Sequence, residues 1–192
     1  MVGFDQRPEI RERLKTIVFN TKLYREGFEI KCRIERHAGG RAKLNFQTSF
    51  YVLNPTLEDQ KYTHSVQFEE GEQPTLEEFS FVPTDGRGKY QRTGSLSQKS
   101  DEPEVLERAA TVTVRAGTNE KFKFVNRFTV TLPEHFYYVC NFGYPTMGAC
   151  LEVESPDFVV TASPADVQQA NRWQYNRLFM PEEHIQIRWR PS

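Results

Sequence analysis

Alternation of apolar and polar residues is the dominant pattern along this chain. In residues 28–36 the apolar positions are Phe28, Ile30, Cys32 and Ile34, and each is followed by a charged residue. Residues 41–53 repeat the alternation after a turn that contains Gly39 and Gly40, which supply the positive φ angles of a hairpin. A period of two residues is typical of strands that bury one face. The two segments therefore predict an antiparallel hairpin with one face in the core.

The same period predicts further strands along most of the chain. They fall at residues 62–69, 76–82, 106–115, 121–132, 157–161, 172–179 and 184–190. Turn signals recur about every 8–12 residues, which is the spacing of sandwiches and barrels. We therefore predict a mostly β fold, an antiparallel β-sandwich or open β-barrel of about ten or eleven strands.

The first part of the chain has a different period. Residues 1–20 are predicted to form a short lead-in helix, and residues 21–192 a single β-rich domain. Pro8 stands where a proline is tolerated in a first helical turn. Ile10, Leu14, Ile17 and Val18 form one apolar stripe. Such a helix either packs its stripe on the sheet or connects the domain to a membrane or another domain.

The stretch 134–154 is the most apolar part of the chain. It contains two apolar arms joined by a connection rich in glycine and proline, residues 143–148. The first arm, residues 135–142, is apolar or aromatic on both faces, as strands are when they lie inside a core or beside a ligand. We interpret the stretch as a core hairpin whose tip forms the floor of a pocket, with residues 172–179 as its wall.

Two polar residues interrupt apolar faces. His64 lies on the apolar face of residues 62–69, and we interpret it as a core histidine with its hydrogen bonds satisfied and not as a ligand-binding residue. Asn126 lies among phenylalanines on the apolar face of residues 121–132, and it needs a hydrogen-bond partner if it is buried. The opposite face of that segment carries Lys121, Lys123 and Arg127, a pattern that protects a sheet edge.

Charge and cysteine content exclude several classes of protein. The formal net charge is -1, so no general field attracts duplex nucleic acid or an anionic membrane. Three cysteines without a C-x-x-C pair do not form a disulfide framework or a structural zinc site. They are predicted to be reduced and buried, with a Cys140–Cys150 disulfide as the alternative. The sequence shows no signal peptide and no long apolar run, which predicts a cytoplasmic domain.

Catalytic motifs do not occur in this sequence. There is no G-x-S-x-G elbow, and the four histidines do not have the spacing of H-E-x-x-H. The acidic residues alternate along predicted strands and do not form a recognisable pair. We therefore predict that the chain is not an enzyme and uses no cofactor or metal.

Aromatic and arginine residues cluster in two segments and one loop. Aromatic faces stack on nucleobases, and arginine forks bind phosphate groups. The candidate ligand-binding residues are Arg87, Tyr138, Tyr144, Arg172, Trp173, Tyr175 and Arg177. Arg87 belongs to a glycine-rich basic loop, residues 85–92, that lacks the spacing of a P-loop. The competing interpretation is that the aromatic residues are core, and that the arginines and the loop are solvated.

The layout of the chain resembles a known family. A charged lead-in helix is followed by an alternating hairpin, by VLNPT at residues 52–56 and by RLFMPEEHIQIRW at residues 177–189. This order is similar to that of the β-rich sensor domains of prokaryotic two-transmembrane antiphage effectors. The resemblance implies a regulatory domain that binds a cyclic di- or oligonucleotide and follows two membrane helices, the second continued by residues 7–18. The chain would then be the soluble domain of an inner-membrane protein, or else a soluble relative such as a regulator-attached ligand domain or a sponge for such messengers.

The predicted partner is thus a cyclic nucleotide or another small phosphorylated ligand, and a homo-oligomer is left open. The alternative function is a structural or protein-interaction β-sandwich without a small-molecule ligand. Its support is the cationic strand at residues 121–127, if that strand lies at a sheet edge.

Overall fold

The computed structural model describes residues 22–69, 72, 74–83, 90–91, 97–98, 105–116, 122–134, 136–164 and 167–192. The strands in these residues are β1 (Tyr24–His37), β2 (Arg41–Leu53), β3 (Gln60–Glu69), β4 (Thr75–Pro83), β5 (Tyr90–Gln91), β6 (Ser97–Gln98), β7 (Val105–Val114), β8 (Phe122–Pro133), β9 (Phe136–Asn141), β10 (Thr146–Glu154), β11 (Phe158–Ser163), β12 (Val167–Gln169), β13 (Arg172–Phe179) and β14 (His184–Pro191). The prediction of a mostly β fold is confirmed for this part of the chain. The lead-in helix predicted at residues 1–20 lies outside the described residues.

The strands form three sheets. The large sheet has the order β12-β13-β10-β1-β2-β8-β4-β5, the second sheet β3-β7-β6 and the third sheet β11-β14-β9. Neighbouring strands are antiparallel except β1 and β10, which are parallel. In the described residues the end strands β12 and β5 do not pair with each other, so the large sheet is open and not closed into a barrel.

The hairpin predicted from alternation is confirmed. β1 and β2 are antiparallel neighbours with His37 opposite Arg41. Their inward side chains are buried, as expected for strands with one face in a core. Continuing across the sheet, β2 pairs with β8 and sets phenylalanines opposite each other on the inner face, Phe46 with Phe128 and Phe50 with Phe124.

The second and third sheets pack on the same inner face of the large sheet. Phe68 of β3 contacts Phe128 with ring centroids 4.8 Å apart, and Tyr138 of β9 contacts the same ring at 5.9 Å. His64 contacts Phe124 at 4.3 Å, four residues before the Phe68–Phe128 contact on both strands. β3 therefore runs along β8, and β9 lies beside it.

The core hairpin predicted at residues 134–154 is wrong, although both of its strands exist. β9 pairs with β14 in the third sheet, whereas β10 lies between β1 and β13 in the large sheet. The chain crosses between the layers at Phe142, which is fully buried against Phe28 and Phe179. A segment that is apolar on both faces can be buried by crossing a core as well as by folding back, and its period does not distinguish the two.

The edge strand predicted at residues 121–127 is also wrong. β8 is an interior strand of the large sheet, paired on its two sides with β2 and β4. Its outward Arg127 contacts Glu78 at 3.3 Å and donates to Gln47 Oε1 at 2.9 Å. Arg127 is thus part of a cross-strand pair on the outer surface, and it does not protect an edge.

Two glycines lie side by side on β1 and β10, next to a β-bulge that gives β1 one extra residue against β2 between Glu26 and Glu29. The pairing skips Gly27 and Gly148, which have φ angles of 59° and 68°. An extra residue in a strand reverses which side chains face inward. Alternation back from Phe28 would put Glu26 in the core, but the bulge turns Arg25 inward instead, and it is 3% exposed.

Gly148→Ala should lower the free energy of unfolding by about 1–2 kcal/mol, because a side chain disfavours positive φ. The added Cβ would also lie 3.3 Å from the backbone oxygen of Tyr175, which cannot move aside easily. Gly39→Ala is the matched control, since Gly39 has φ 73° but open space around it. Urea unfolding should show a larger loss for Gly148→Ala than for Gly39→Ala. Equal losses would contradict the role given to the close contact.

Candidate functional site

A cavity of about 290 Å³ lies between β3 and β9, above the inner face of the large sheet. Its floor is formed by buried residues of β1, β2 and β8, namely Arg25, Phe28, Phe46, Thr48, Asn126 and Phe128. Residues 63–67 of β3 form one wall, and residues 138–141 of β9 with Gly143 and Tyr144 form the other. Thr63, Ser65 and Gln67 are exposed, so the mouth opens between the two strands.

Arg25 is the charged residue of the floor. Its Nε donates a hydrogen bond to Tyr62 Oη at 2.8 Å. Its Cζ lies 4.6 Å from the ring centroid of Phe50 and 5.2 Å from that of Tyr144, both within cation–π range. No carboxylate among the described residues forms an ion pair with it. Arg25 is thus a buried positive charge that aromatic rings and hydrogen bonds support, without a negative counter-charge from the described part of the chain.

His64 lies next to this charge. Burial, and then the neighbouring Arg25 cation, hold the pKa of His64 well below its usual value of 6.5, so the imidazole is neutral at neutral pH. Its Nδ1 lies 3.5 Å from Arg25 Nη2. A neutral ring that accepts at Nδ1 carries its proton on Nε2. His64 packs among core phenylalanines, as its interpretation as a core histidine requires, and it also lines the cavity.

Thr48 and Asn126 make the middle of the floor polar. They lie opposite each other on β2 and β8, between the Phe46–Phe128 and Phe50–Phe124 pairs. Asn126 is 2% exposed, and its Oδ1 has no hydrogen-bond partner among the described residues. A buried amide oxygen without a partner is costly and uncommon in folded proteins. The cavity therefore contains an acceptor that a bound molecule could satisfy.

Three further titratable groups in and around the cavity, Tyr62, Tyr138 and Cys140, are held uncharged. Burial raises the pKa of Tyr138 and of Tyr62 above the ordinary phenol value. Burial also raises the pKa of the Cys140 thiol to about 12, which leaves little thiolate, the form that reacts. All three cysteines are free, and Cys140 and Cys150 lie in different sheets.

The structure brings two of the predicted ligand-binding residues to this cavity. Tyr138 and Tyr144 both line it, from β9 and from the connection that follows. Tyr144 Oη accepts a hydrogen bond from the Thr63 backbone N–H at 3.4 Å, and the Tyr138 ring contacts Phe46 at 4.8 Å. Arg87 lies outside the described residues.

The four candidates on β13 lie elsewhere. Trp173 and Tyr175 are buried in the core. Arg172 is on the outer surface, where its Nε donates to Cys150 Sγ at 3.1 Å. Arg177 pairs with Glu183 at 2.9 Å. No residue of β13 lines the cavity, because β13 pairs with β10 on the side away from β1 and β2. The wall predicted from residues 172–179 is therefore not a wall of this cavity.

Arg25 and Thr48 line the cavity, although no sequence motif indicates that they belong to a site. Arg25 follows no motif, and alternation assigns it to solvent until the Gly27 bulge is known. Gly27 is the signal that could have indicated the change, because glycine inside a strand pattern often marks a bulge. Asn126 among phenylalanines was a correct signal of buried polarity.

Other kinds of site are not evident in the described residues. There, no group of three or more His, Cys, Asp or Glu side chains is placed to hold a metal ion. Within the same residues, no helix has the length and apolar character needed to cross a membrane.

Comparison with known proteins gives structural similarity alone. No protein-family model matches the chain, and no curated protein matches it. A candidate protease from Parabacteroides distasonis is similar with a TM-score of 0.44 and 9% identity, over 89% of this chain and 36% of that one. A candidate nutrient-binding protein from Legionella pneumophila is similar with a TM-score of 0.41 and 10% identity, over 88% of this chain and 67% of that one.

Acetylcholine-binding protein type 1 from Biomphalaria glabrata gives a TM-score of 0.35 and 8% identity, over 97% of this chain and 100% of that one. By contrast, the chain spans about a third of the length of the Parabacteroides protein. At these identities and TM-scores, the similarities carry no argument about ligand or activity.

His64→Phe should remove one source of acid sensitivity. Because the pKa of His64 is lowered in the folded protein, the unfolded chain takes up this proton first as the pH falls. The free energy of unfolding is therefore highest above about pH 6.5. It falls as the pH drops below that value, by at most about 1.4 kcal/mol per pH unit. Urea unfolding between about pH 7.5 and 5.5 should show a smaller loss for the variant than for the wild type. Ser65→Ala on the same strand is the control, and an unchanged loss in His64→Phe would contradict the assignment.

Proposed function

We propose that this chain is a β-sandwich ligand-binding module that takes a small anionic ligand into the cavity between β3 and β9. The observation that carries the proposal is Arg25, a buried guanidinium on the cavity floor with no carboxylate partner among the described residues. A buried charge is costly unless it is paired. An anion that enters the cavity would supply the missing pair.

The surroundings of Arg25 favour an external anion. The rings of Phe50, Tyr62 and Tyr144 hold the guanidinium in place without neutralising it. His64 is uncharged, so it adds no second positive charge, and its Nε2–H is a further donor. Carboxylate and phosphate groups both match the guanidinium fork and accept two parallel hydrogen bonds from it.

The size of the cavity limits what can enter. Its volume of about 290 Å³ lies at the lower end of the range of about 300–1,000 Å³ for small-molecule sites. It suits a compact molecule or one end of a longer one. A cyclic di- or oligonucleotide, the ligand that the family resemblance implies, would place one phosphate at Arg25 and stack a base on Tyr138 or Tyr144. That ligand and a role in an antiphage effector stay proposals.

We propose binding and not catalysis for the same site. The Cys140 thiol, the Tyr62 and Tyr138 phenols and the His64 imidazole are all held in their uncharged forms. A catalytic nucleophile or base instead needs a pKa close to the working pH. The protein-interaction alternative has lost its support, because the cationic strand β8 is interior.

Arg25→Met should abolish anion binding while the fold is kept. Methionine has a similar reach and packs well against aromatic rings, and replacing a buried charge by an apolar side chain is often neutral or stabilising. The midpoint temperature of thermal unfolding of the wild type should rise with phosphate, acetate, AMP or a cyclic dinucleotide at constant ionic strength. A ligand concentration about a hundredfold above Kd adds about 2.7 kcal/mol to the free energy of unfolding. The variant should show no such rise.

Arg190→Met is the matched control, since Arg190 is exposed on β14. It should respond to the anions like the wild type. If no anion stabilises the wild type and Arg25→Met is strongly destabilised, Arg25 is a structural cation and the proposal fails. If Arg25→Met binds anions as well as the wild type does, the site lies elsewhere.

Asn126→Leu should raise the free energy of unfolding of the ligand-free protein by about 1–2 kcal/mol, because a buried polar atom without a partner costs about 1–3 kcal/mol. It should also weaken ligand binding, since the cavity loses its free acceptor. Asn45→Leu is the control, because Asn45 Oδ1 accepts a hydrogen bond from Thr129 at 3.0 Å. A loss of stability in Asn126→Leu would show that Oδ1 is satisfied in solution.

A further inference from the structure

The walls of the cavity are the edges of two strands and not their faces. Residues 63–67 of β3 and residues 138–141 of β9 line it consecutively. Because successive side chains of a strand point to opposite faces, a cavity that touches every residue of a run lies along the backbone edge. β3 and β9 are edge strands of the second and third sheets, and they do not pair with each other.

The backbone of β3 presents hydrogen-bonding groups to this slot. The N–H of Thr63 points away from β7, since it donates to Tyr144 Oη across the slot. In a regular antiparallel strand, the N–H and C=O groups of alternate residues point to the same edge. Those of Ser65 and Gln67 therefore also face the slot. An exposed strand edge of this kind is a template for an added strand.

The slot has a charged end and an apolar end. At one end Thr63 and Tyr144 meet near Arg25. At the other end Phe68 and Tyr138 meet over Phe128. Hence β3 and β9 run in opposite directions along the slot. Its length, about five residues of strand at about 3.3 Å each, is about 16 Å.

The floor repeats with the spacing of a strand. Because β3 runs along β8, an added strand between β3 and β9 would also follow β8. Its inward side chains would recur every two residues. The Thr48–Asn126 pair and the Phe46–Phe128 pair are likewise two residues apart on β2 and β8. Successive inward side chains would thus meet first a polar pair and then an aromatic pair as they leave Arg25.

We infer that the ligand is the C-terminal end of an extended peptide, which pairs with the edges of β3 and β9 and places its terminal carboxylate at Arg25. This inference rests on the proposed function and names its ligand class. The last inward side chain of the peptide is polar and bonds Asn126 Oδ1. The inward side chain two residues before it is apolar and contacts Phe46, Phe128 and Tyr138.

The test uses two synthetic peptides that differ in register, acetyl-Leu-Val-Gln-Val and acetyl-Val-Leu-Val-Gln, each as the free acid and as the C-terminal amide. One of the free acids should bind at least tenfold more tightly than its amide in titration calorimetry with the intact chain. Arg25→Met should reduce that ratio to about one, because the bidentate contact with the carboxylate is lost. Methylating the backbone nitrogens of the peptide should abolish binding.

The Ser65→Pro variant distinguishes binding of the peptide from binding of a simple anion. Proline removes the slot-facing N–H of Ser65, but not a hydrogen bond to β7, and proline is tolerated on edge strands. The variant should keep the stabilisation by phosphate or acetate and lose at least tenfold in peptide affinity.

Two results overturn the inference. If phosphate or acetate stabilises the wild type but neither peptide binds, or acid and amide bind equally, the peptide is not the ligand while the anion site stands. Tight binding of a nucleotide without peptide binding has the same meaning. If neither anions nor peptides bind, the proposed function falls together with the inference.

Discussion

The burial of one arginine side chain links the parts of this fold. Arg25 belongs to the large sheet, bonds Tyr62 of the second sheet, and lies against Tyr144, which follows β9 of the third sheet. Its backbone N–H also donates to Pro145 at 2.8 Å, which fixes the chain as it crosses between layers. A guanidinium is suited to this position, because it can stack on several rings and still donate hydrogen bonds in its own plane. A substitution that removes only the charge of Arg25 therefore has a different effect from one that also removes its packing.

The core around Arg25 combines strong packing with local polarity. Pairs of phenylalanines on β2 and β8 contact the rings of β3 and β9, and the layers are held together there. Thr48 and Asn126 interrupt these pairs beneath the gap between β3 and β9. A core selected for stability alone would be apolar at these two positions. Because Asn126 Oδ1 has no hydrogen-bond partner among the described residues, this polar position supports the proposed ligand site.

The position of the site follows from how the sheets are divided. A single continuous upper sheet would pair all of its inner edges and cover the floor. In the described part of the chain the upper layer consists of two three-stranded sheets, and their edge strands β3 and β9 face one slot without pairing with each other. Unpaired edges are usually a liability. In this chain they lie inside a narrow slot with a polar floor, where a bound backbone can use them.

The sequence by itself determined the strands and most of their inward faces, because burial of one face imposes a local period of two residues. It also indicated buried polarity at Asn126 and aromatic walls at Tyr138 and Tyr144. Only the tertiary structure decided that β9 and β10 belong to different sheets, that Trp173 and Tyr175 are core, and that Arg25 faces inward. These outcomes depend on pairing between strands distant in sequence and on the bulge at Gly27, where one added residue exchanges the two faces. Local alternation carries no information about such long-range choices.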